Sequence, residues 1–311
     1  MSHWYKQGVL VTGGAGFIGS HLVERLNAAG ARVTVLDHHA TPEHPNLAPI
    51  HQHVTMIPMT VEAALETLDI GRFDTIFHLG GNPYVPPSVD DPVMDYEKNL
   101  HTTFKLLERL RAHPTPRFVY ASSAAVYGNP TRLPIREDDP TLPISPYGVS
   151  KLASERYADV YSQLYGVRSS SARMFSVYGP RQRKQVIFDV MTKLIATPDQ
   201  IEIFGDGTQE RDFCHVDDAV SALLTIAACA PGKGEVYNVA SGVSHSIKHV
   251  VETWCKILNL HPRLNSTGQV RAGEPDKWTV DISALKKLGF VPHMSLEEGL
   301  RQIKDWYDAQ F

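Results

Sequence analysis

The sequence predicts a doubly wound α/β protein, a parallel sheet with helices on both faces, followed by a smaller, discontinuous second domain. Three observations carry this reading. Short apolar, β-branched runs alternate with helical stretches through the first half of the chain. The first of these runs ends in glycines and opens directly into a helix. After Gly179-Pro180 the alternation gives way to short strand-like pieces mixed with helices.

Taken in order, Gly8–Thr12 reads as a buried parallel strand, because five apolar or β-branched positions run together. Phe17 to Ala29 carries helical periodicity and stops at Gly30, a residue suited to the left-handed end of a helix. Ala31–Leu36 is a second strand, and Phe73–Leu79 and Arg117–Ala121 are further ones. A long helix over Val93–His113 is expected between those two strands. Another helix spans Tyr147–Tyr165 and leads to a strand at Ser169–Met174. Beyond it come strand-like pieces at Ile201–Phe204 and Glu235–Asn238, and helices near Val216–Ala228, Ile247–Leu258 and Leu296–Asp308. The expected division is 1–175 for the large domain, with about 213–240 returning to it, and 176–311 for the smaller one. The proline-rich segment Pro130–Pro146 is interspersed with apolar residues, so it reads as an ordered loop beside the sheet edge.

Composition limits the function. The 311 residues are 42% apolar, enough for a substantial core, and 21% charged. Lys and Arg total 30 against 34 Asp and Glu, a formal charge of −4 that suits neither nucleic acid nor an anionic membrane as the main partner. No apolar run is long enough to span a bilayer, and the N-terminus lacks a signal-peptide pattern. Cys214, Cys229 and Cys255 are odd in number and far apart, which points to buried free thiols in a reducing cytoplasm. None has zinc-type spacing, and no metal is expected.

Thr12-Gly13-Gly14-Ala15-Gly16-Phe17-Ile18-Gly19-Ser20 lies between a strand and a helix. In that context Gly13 permits a tight turn, Gly16 lets backbone approach a pyrophosphate, and Gly19 lets helix pack on strand. The helix N-terminus then offers free N–H groups and a positive dipole end to phosphates. This is the dinucleotide-binding arrangement of a Rossmann domain. Asp37 closes the second strand, where a carboxylate accepts both ribose hydroxyls of NAD and repels the 2′-phosphate of NADP. His38 and His39 follow it, and with His44, His51 and His53 they crowd a 16-residue stretch that reads as a polar loop over the adenine end.

Ser122-Ser123-Ala124-Ala125-Val126-Tyr127-Gly128 follows a strand at the end where open α/β sheets bind ligands. Then comes Pro146-Tyr147-Gly148-Val149-Ser150-Lys151. Tyr147 and Lys151 are four apart and share a helix face. An ammonium beside a phenol favours phenolate, as does the positive nicotinamide of NAD⁺. Such a tyrosine can take a proton from an alcohol as hydride leaves the carbon.

With these motifs the chain resembles the extended short-chain dehydrogenase/reductase family, in its NAD-dependent epimerase/dehydratase branch. The resemblance extends over nearly the whole chain, through His78-Leu79-Gly80-Gly81, Val85-x-x-Ser88-x-x-x-Pro92, Asn99, Val177-Tyr178-Gly179-Pro180-Arg181-Gln182 and Phe204-Gly205-Asp206-Gly207-Thr208-Gln209-Glu210-Arg211-Asp212-Phe213. It continues through Arg271-x-Gly273-Glu274 and Ser295-Leu296-Glu297-Glu298-Gly299-Leu300. Within the family it looks most similar to UDP-glucose 4-epimerases. The resemblance implies NAD held by Gly13, Gly16, Phe17, Ile18, Gly19, Asp37, Leu79, Gly80, Asn99, Tyr147 and Lys151. It implies catalysis by Ser123, Tyr147 and Lys151. Substrate contacts are expected from Ser88, Ser123, Tyr147, Ser176, Arg183, Arg211, Arg271 and Trp278. A homodimer packed through the helices at 93–113 and 147–165 is also implied.

Family 4,6-dehydratases carry Asp-Glu after the serine, and decarboxylases a Glu; Ala124 and Ala125 stand there. With no second acid–base pair, oxidation and re-reduction at one carbon is the simplest chemistry. Arg211 and Arg271 suit a nucleotide diphosphate. Trp278 would crowd an N-acetyl group. Departures from the family pattern leave the sugar open. Ser176 replaces the usual Asn and, with Arg183, is closer to UDP-glucuronate 4-epimerases, in which such an arginine suits a sugar carboxylate. A keto-sugar-nucleotide reductase and a non-catalytic NAD(H)-sensing relative also stay open. Near Ile57-Pro58-Met59-Thr60 the family's adenine-contacting Asp is missing.

Overall fold

In the computed structural model, residues 3–203, 205–266 and 277–310 are described. The large sheet has seven strands, all parallel. They are β1 (Gly8–Thr12), β2 (Arg32–Leu36), β3 (Thr55–Ile57), β4 (Thr75–His78), β5 (Arg117–Ser123), β6 (Arg168–Met174) and, far along the chain, β11 (Lys233–Val239). Their order is β11-β6-β5-β4-β1-β2-β3. The direction of winding reverses between β1 and β4, which opens a crevice at their carboxyl ends. The doubly wound prediction is borne out.

Strand alternation divides the core. Val9 and Val11 face one side with Leu22, Val23 and Leu26 of α1 (Phe17–Ala28) and Leu223 and Ile226 of α8 (Val216–Cys229). Leu10 faces the other with Ile76, Phe118 and Leu106, Leu107 and Leu110 of α5 (Thr102–Ala112), joined by Ala158 and Tyr161 of α6 (Pro146–Tyr165). These side chains are buried on both faces, as an all-parallel sheet requires.

A third core lies in the second half. It joins α7 (Val186–Ala196), α9 (Ile247–Leu258) and α11 (Leu296–Gln310) around Met191, Leu194, Trp254 and Leu300. Three two-stranded sheets accompany it: β7 (Val177–Tyr178) with β10 (Cys214–His215), β8 (Gln200–Ile203) with β13 (Arg263–Ser266), and β9 (Glu210–Asp212) with β12 (Ser244–Ser246). The short α10 (Ser283–Lys287) packs near β11.

Four expectations need correction. The helix predicted over 93–113 is not one α-helix. After α3 (Val85–Asp90), α4 (Pro92–Asp95) starts at an Asp91 cap, and a π turn (Tyr96–His101) precedes α5. A π turn frees carbonyls, and two threonines take them up: Thr103 Oγ1 donates to Asn99 O at 2.6 Å and Thr102 Oγ1 to Glu97 O at 2.9 Å. Second, α7 falls where irregular chain was expected; it begins after Gln185 (φ 74°) with no capping side chain to announce it. Third, β3 and the four-residue α2 (Val61–Ala64) were not anticipated, being too short to show a period. Fourth, Cys229 is exposed at the end of α8 and Cys255 only half-buried, whereas Cys214 is buried as expected; all three are free thiols.

The loop 130–146 packs against the sheet edge. Its Glu137 carboxylate accepts the Asn238 N–H on edge strand β11 at 2.8 Å. Behind it, the buried Arg173 guanidinium bonds the Glu155 carboxylate at 2.8 Å and the Tyr127 hydroxyl at 2.8 Å. Among the described residues no helix is long and apolar enough to cross a membrane.

Candidate active site

The glycine loop sits at the mouth of the crevice. Gly13 has φ 70°, and a Cβ there would lie 2.7 Å from Gly80 N. A Cβ on Gly19 would collide with the Gly13 carbonyl, so α1 docks on the loop only because position 19 has no side chain. Gly16 caps α1 without a side-chain bond, leaving the first-turn N–H groups facing outward from the helix, with Phe17 and Ile18 as its first residues. Gly19→Ala is expected to displace backbone rather than a flexible side chain. NAD retained by the purified protein, measured after denaturation, should fall by about an order of magnitude.

Asp37 lies beside this loop and opens the turn that follows β2. Its carboxylate accepts Ala15 N–H at 3.2 Å and His39 N–H at 3.0 Å. Its own N–H donates to Ile57 O at 3.2 Å, which brings Ile57-Pro58 alongside it. The His38 and His39 rings lie 3.8 Å apart between centres and tilted by 42°, and among the described residues no group of three or more His, Cys, Asp or Glu is placed to hold a metal.

Across the crevice, Leu79 N–H donates to Thr12 O at 3.2 Å and Gly80 N–H to Thr12 Oγ1 at 3.1 Å. Thr103 Oγ1 gives its hydrogen to Asn99 O, so His78 Nε2 donates to Thr103 Oγ1 at 3.1 Å, and the other ring nitrogen, Nδ1, accepts from Thr12 Oγ1 at 2.7 Å. This chain needs a neutral imidazole, and burial lowers the His78 pKa from 6.5 to about 3. The unfolded chain therefore binds a proton here below pH 6.5 that the folded protein refuses. Stability falls as pH drops from about 6.5 toward 3, by up to about 1.4 kcal/mol per pH unit. Asp212, raised by burial to about 6, acts in the opposite sense between about 6 and its ordinary value of 3.8. The difference between wild type and His78→Gln in urea unfolding at a series of pH values isolates the histidine; equal slopes would contradict its neutral role.

The residues expected to carry catalysis come together. α6 starts at Pro146, with Ser145 capping the Gly148 N–H at 3.1 Å. Gly148 lets the first turn press against the 3-10 turn Ala124–Tyr127, because a Cβ there would lie 2.6 Å from Ala125 O. That approach brings the Tyr147 side chain close to Ser123 at the end of β5. Lys151 is buried one turn on, its Nζ donating to Ala121 O at 3.0 Å and lying 5.7 Å from the Tyr147 ring centre.

The electrostatics correct one expectation. In the protein by itself, the Tyr147 phenol is not lowered. Burial pushes it up to about 12, with the Ser123 hydrogen bond acting against burial. Burial also lowers Lys151 to about 8, opposed by the charges of Asp95 and Glu155. Desolvation outweighs the Tyr–Lys interaction, so the phenolate needs further positive charge in the crevice. Buried polar atoms await partners there too. Asn99 Oδ1 and Asp95 Oδ2 have none among the described residues. The loop, Asp37, Asn99 and Lys151 thus fit a dinucleotide with a positive nicotinamide.

The substrate-side residues are more mixed. Ser88 is fully buried; its hydroxyl donates to Val85 O at 2.7 Å and accepts Tyr147 N–H at 3.1 Å. It is a support for the start of α6 rather than an open ligand contact. Ser176 is half-buried just past the end of β6, and its carbonyl accepts Cys214 N–H. Trp278 packs edge-on against Phe175, ring centres 5.7 Å apart, next to Ser176. Arg211 is half-buried on β9 and donates to Glu210 O at 2.9 Å. Arg183 lies 5.7 Å over the Trp306 ring. Arg271 lies outside the described residues.

Sequence reasoning missed Asp95, Asn82 and Thr12, buried polar residues whose roles arise only from the fold.

A model of the NAD dependent epimerase/dehydratase family matches residues 9–240. The putative UDP-glucose 4-epimerase of Methanocaldococcus jannaschii is 33% identical over 308 residues, 96% of this chain and 97% of that relative. The structure of UDP-N-acetylglucosamine 4-epimerase from Methanobrevibacter ruminantium M1, in complex with UDP-N-acetylmuramic acid, is similar at a TM-score of 0.89 and 31% identity, covering 99% of this chain and 100% of that one. UDP-glucuronic acid 4-epimerase from Bacillus cereus, in complex with UDP-glucuronic acid and NAD, gives 0.86 and 29%, covering 98% and 100%. The glycine loop, the paired Tyr147 and Lys151 and these likenesses agree, and the chain belongs to the NAD-dependent epimerase/dehydratase family.

Proposed function

We propose that this protein is a UDP-sugar 4-epimerase acting on a UDP-hexose, the interconversion of UDP-glucose and UDP-galactose. The observation that carries this is Tyr147 brought close to Ser123 and to Lys151, with only Ala124 and Ala125 where a second acid–base pair would stand. NAD, when bound, accepts a hydride and returns it. Tyr147 takes the proton of the sugar C4 hydroxyl and later gives it back. Ser123 hydrogen-bonds the same oxygen and relays the proton. Lys151 holds the nicotinamide ribose and, as an ammonium, favours the Tyr147 phenolate. The 4-keto sugar turns in the site between the two transfers. The large sheet holds the cofactor, and the second half grips the nucleotide through Arg211 and Arg271.

Trp278, packed edge-on against Phe175, is the bulky ring that would narrow the sugar end, which favours a plain hexose over an N-acetylhexosamine. A hexuronate is the second reading, favoured by Ser176 and Arg183. The test is to incubate the protein with NAD⁺ and UDP-glucose, UDP-GlcNAc or UDP-glucuronate, following each sugar by proton NMR. UDP-glucose should be converted to its C4 epimer. Preferred conversion of UDP-GlcNAc would overturn the Trp278 argument, and no conversion of any would overturn the epimerase reading.

The molecule acts as a homodimer in this reading. Val149, Tyr157, Val160 and Leu164 form an exposed apolar stripe on α6, and Val89, Val93 and Tyr96 another on the adjoining helices. Two such stripes suit packing against a second copy. Sedimentation should show twice the 34.5 kDa chain mass, and Val160→Asp with Leu164→Asp should shift it to monomer.

A further inference from the structure

Asp95 is a buried carboxylate that the reaction as described does not use. It is the last residue of α4, just before the π turn, and is 0% exposed. Its Oδ1 accepts two side-chain amides, Asn82 Nδ2 at 2.8 Å and Asn99 Nδ2 at 2.7 Å. Asn82 shapes the loop after β4: its Nδ2 also donates to Tyr84 O at 2.8 Å, and its Oδ1 accepts Tyr84 N–H at 3.3 Å. That loop leads to Ser88, which holds the Tyr147 N–H. Both α4 and the π turn pack against α6, the helix of Tyr147 and Lys151.

The charge itself also needs an explanation. An asparagine oxygen would accept both amides equally well, so the clamp does not require a carboxylate. Among the described residues Asp95 makes no ion pair, and its Oδ2 has no hydrogen-bond partner. Glu155, the other acid near Lys151, is engaged by Arg173 at 2.8 Å. Asp95 is the negative charge near the pair that no cation balances at close range. The elements that carry it, α4 and the π turn, pack against α6, where its charge acts on Tyr147 and Lys151; Glu97 and Lys98 of its own turn are exposed.

We propose that Asp95 is a positioning residue for the Tyr147–Lys151 pair: Oδ1 clamps the Asn82 and Asn99 amides, and its charge sets the pH range in which the pair works. A nearby anion favours the ammonium of Lys151 and disfavours the phenolate of Tyr147. Both groups therefore titrate at higher pH with Asp95 ionised than without it. The activity part of the test rests on the 4-epimerase reading.

Asp95→Asn keeps the shape and removes the charge. With the UDP-sugar that wild type converts, both limbs of the kcat against pH profile should move toward acid by about one pH unit. A second readout needs no substrate. Tyrosinate absorbance of the NAD-bound protein, with Tyr147→Phe as the blank, should show Tyr147 ionising at lower pH in the variant by a similar amount. If no UDP-sugar is converted, the function reading fails while this titration still decides the role of Asp95. Limbs and titration unmoved in Asp95→Asn, even with lower activity or melting temperature, would overturn the proposal. Should that variant not fold, Asp95→Ser, neutral and smaller, is held to the same two shifts.

Discussion

Replacing Tyr147 by Phe should lower kcat about a thousandfold while leaving NAD bound. The ring is 8% exposed and packed at the first turn of α6, so Phe keeps its volume and its place. What goes is the phenol oxygen, the only atom of the ring that can take a proton. Lys151 cannot substitute for it: its Nζ is held by Ala121 O at 3.0 Å, and it serves the reaction as an ammonium with no lone pair to accept a proton. The amide anchoring of position 147 through Ser88 does not involve the ring, so the helix start should survive. Rates by proton NMR and NAD content of the same preparation separate chemistry from binding. A variant keeping more than about a tenth of wild-type kcat would exclude Tyr147 as the proton acceptor.

Arg173→Met should be the most destabilising single change, costing about 3–5 kcal/mol in urea unfolding. Arg173 and Glu155 have side chains only 2% and 1% exposed, and the guanidinium reaches both carboxylate oxygens. Removing the arginine leaves Glu155 charged in the core with no counter-ion. It also removes the donor to the Tyr127 hydroxyl, which in turn donates to Asn238 Oδ1 at 2.6 Å, and to the Glu137 carbonyl at 3.1 Å. The cost is therefore shared by α6, β6, β11 and the loop 130–146. Removing both charges, as Arg173→Met with Glu155→Leu, should recover a large part of it, because no unpaired charge then remains. A loss below about 1 kcal/mol for the single variant would show that water reaches Glu155.

The residues behind those two effects differ in how visible they are in the sequence. Tyr147 and Lys151 announce themselves because one helical turn separates them, and a local spacing survives folding. The glycine loop is legible for the same reason: Gly13, Gly16 and Gly19 act within one strand–turn–helix unit. Asp95 is the opposite case. An aspartate three residues past a proline reads as an exposed first-turn acid, and only the π turn and the packing on α6 make it a buried one. Ser88 lies next to Tyr147, but its hydroxyl is occupied by partners at Val85 and Tyr147 that no pattern reveals. The Tyr147 phenol was expected to be lowered, since a neighbouring charge can be counted in a sequence and desolvation cannot. Asp37 was legible in position, at the end of β2, but not in its bond to Ala15 N–H, which crosses between two loops.

The seventh strand has a consequence for how the chain is made. β6 finds its outer neighbour in β11, whose Lys233–Val239 comes only after β7 to β10 and α7 and α8 have been laid down. During synthesis the large sheet can assemble through β6 early, but its growing edge stays open until Val239 has left the ribosome. What stays open along that edge is the row of β6 backbone N–H and C=O groups that β11 later takes up. Dividing the chain at the apparent seam near residue 175 would make that transient state permanent. Each fragment would carry an unpaired strand, and co-expression rather than separate production is the way to recover either half.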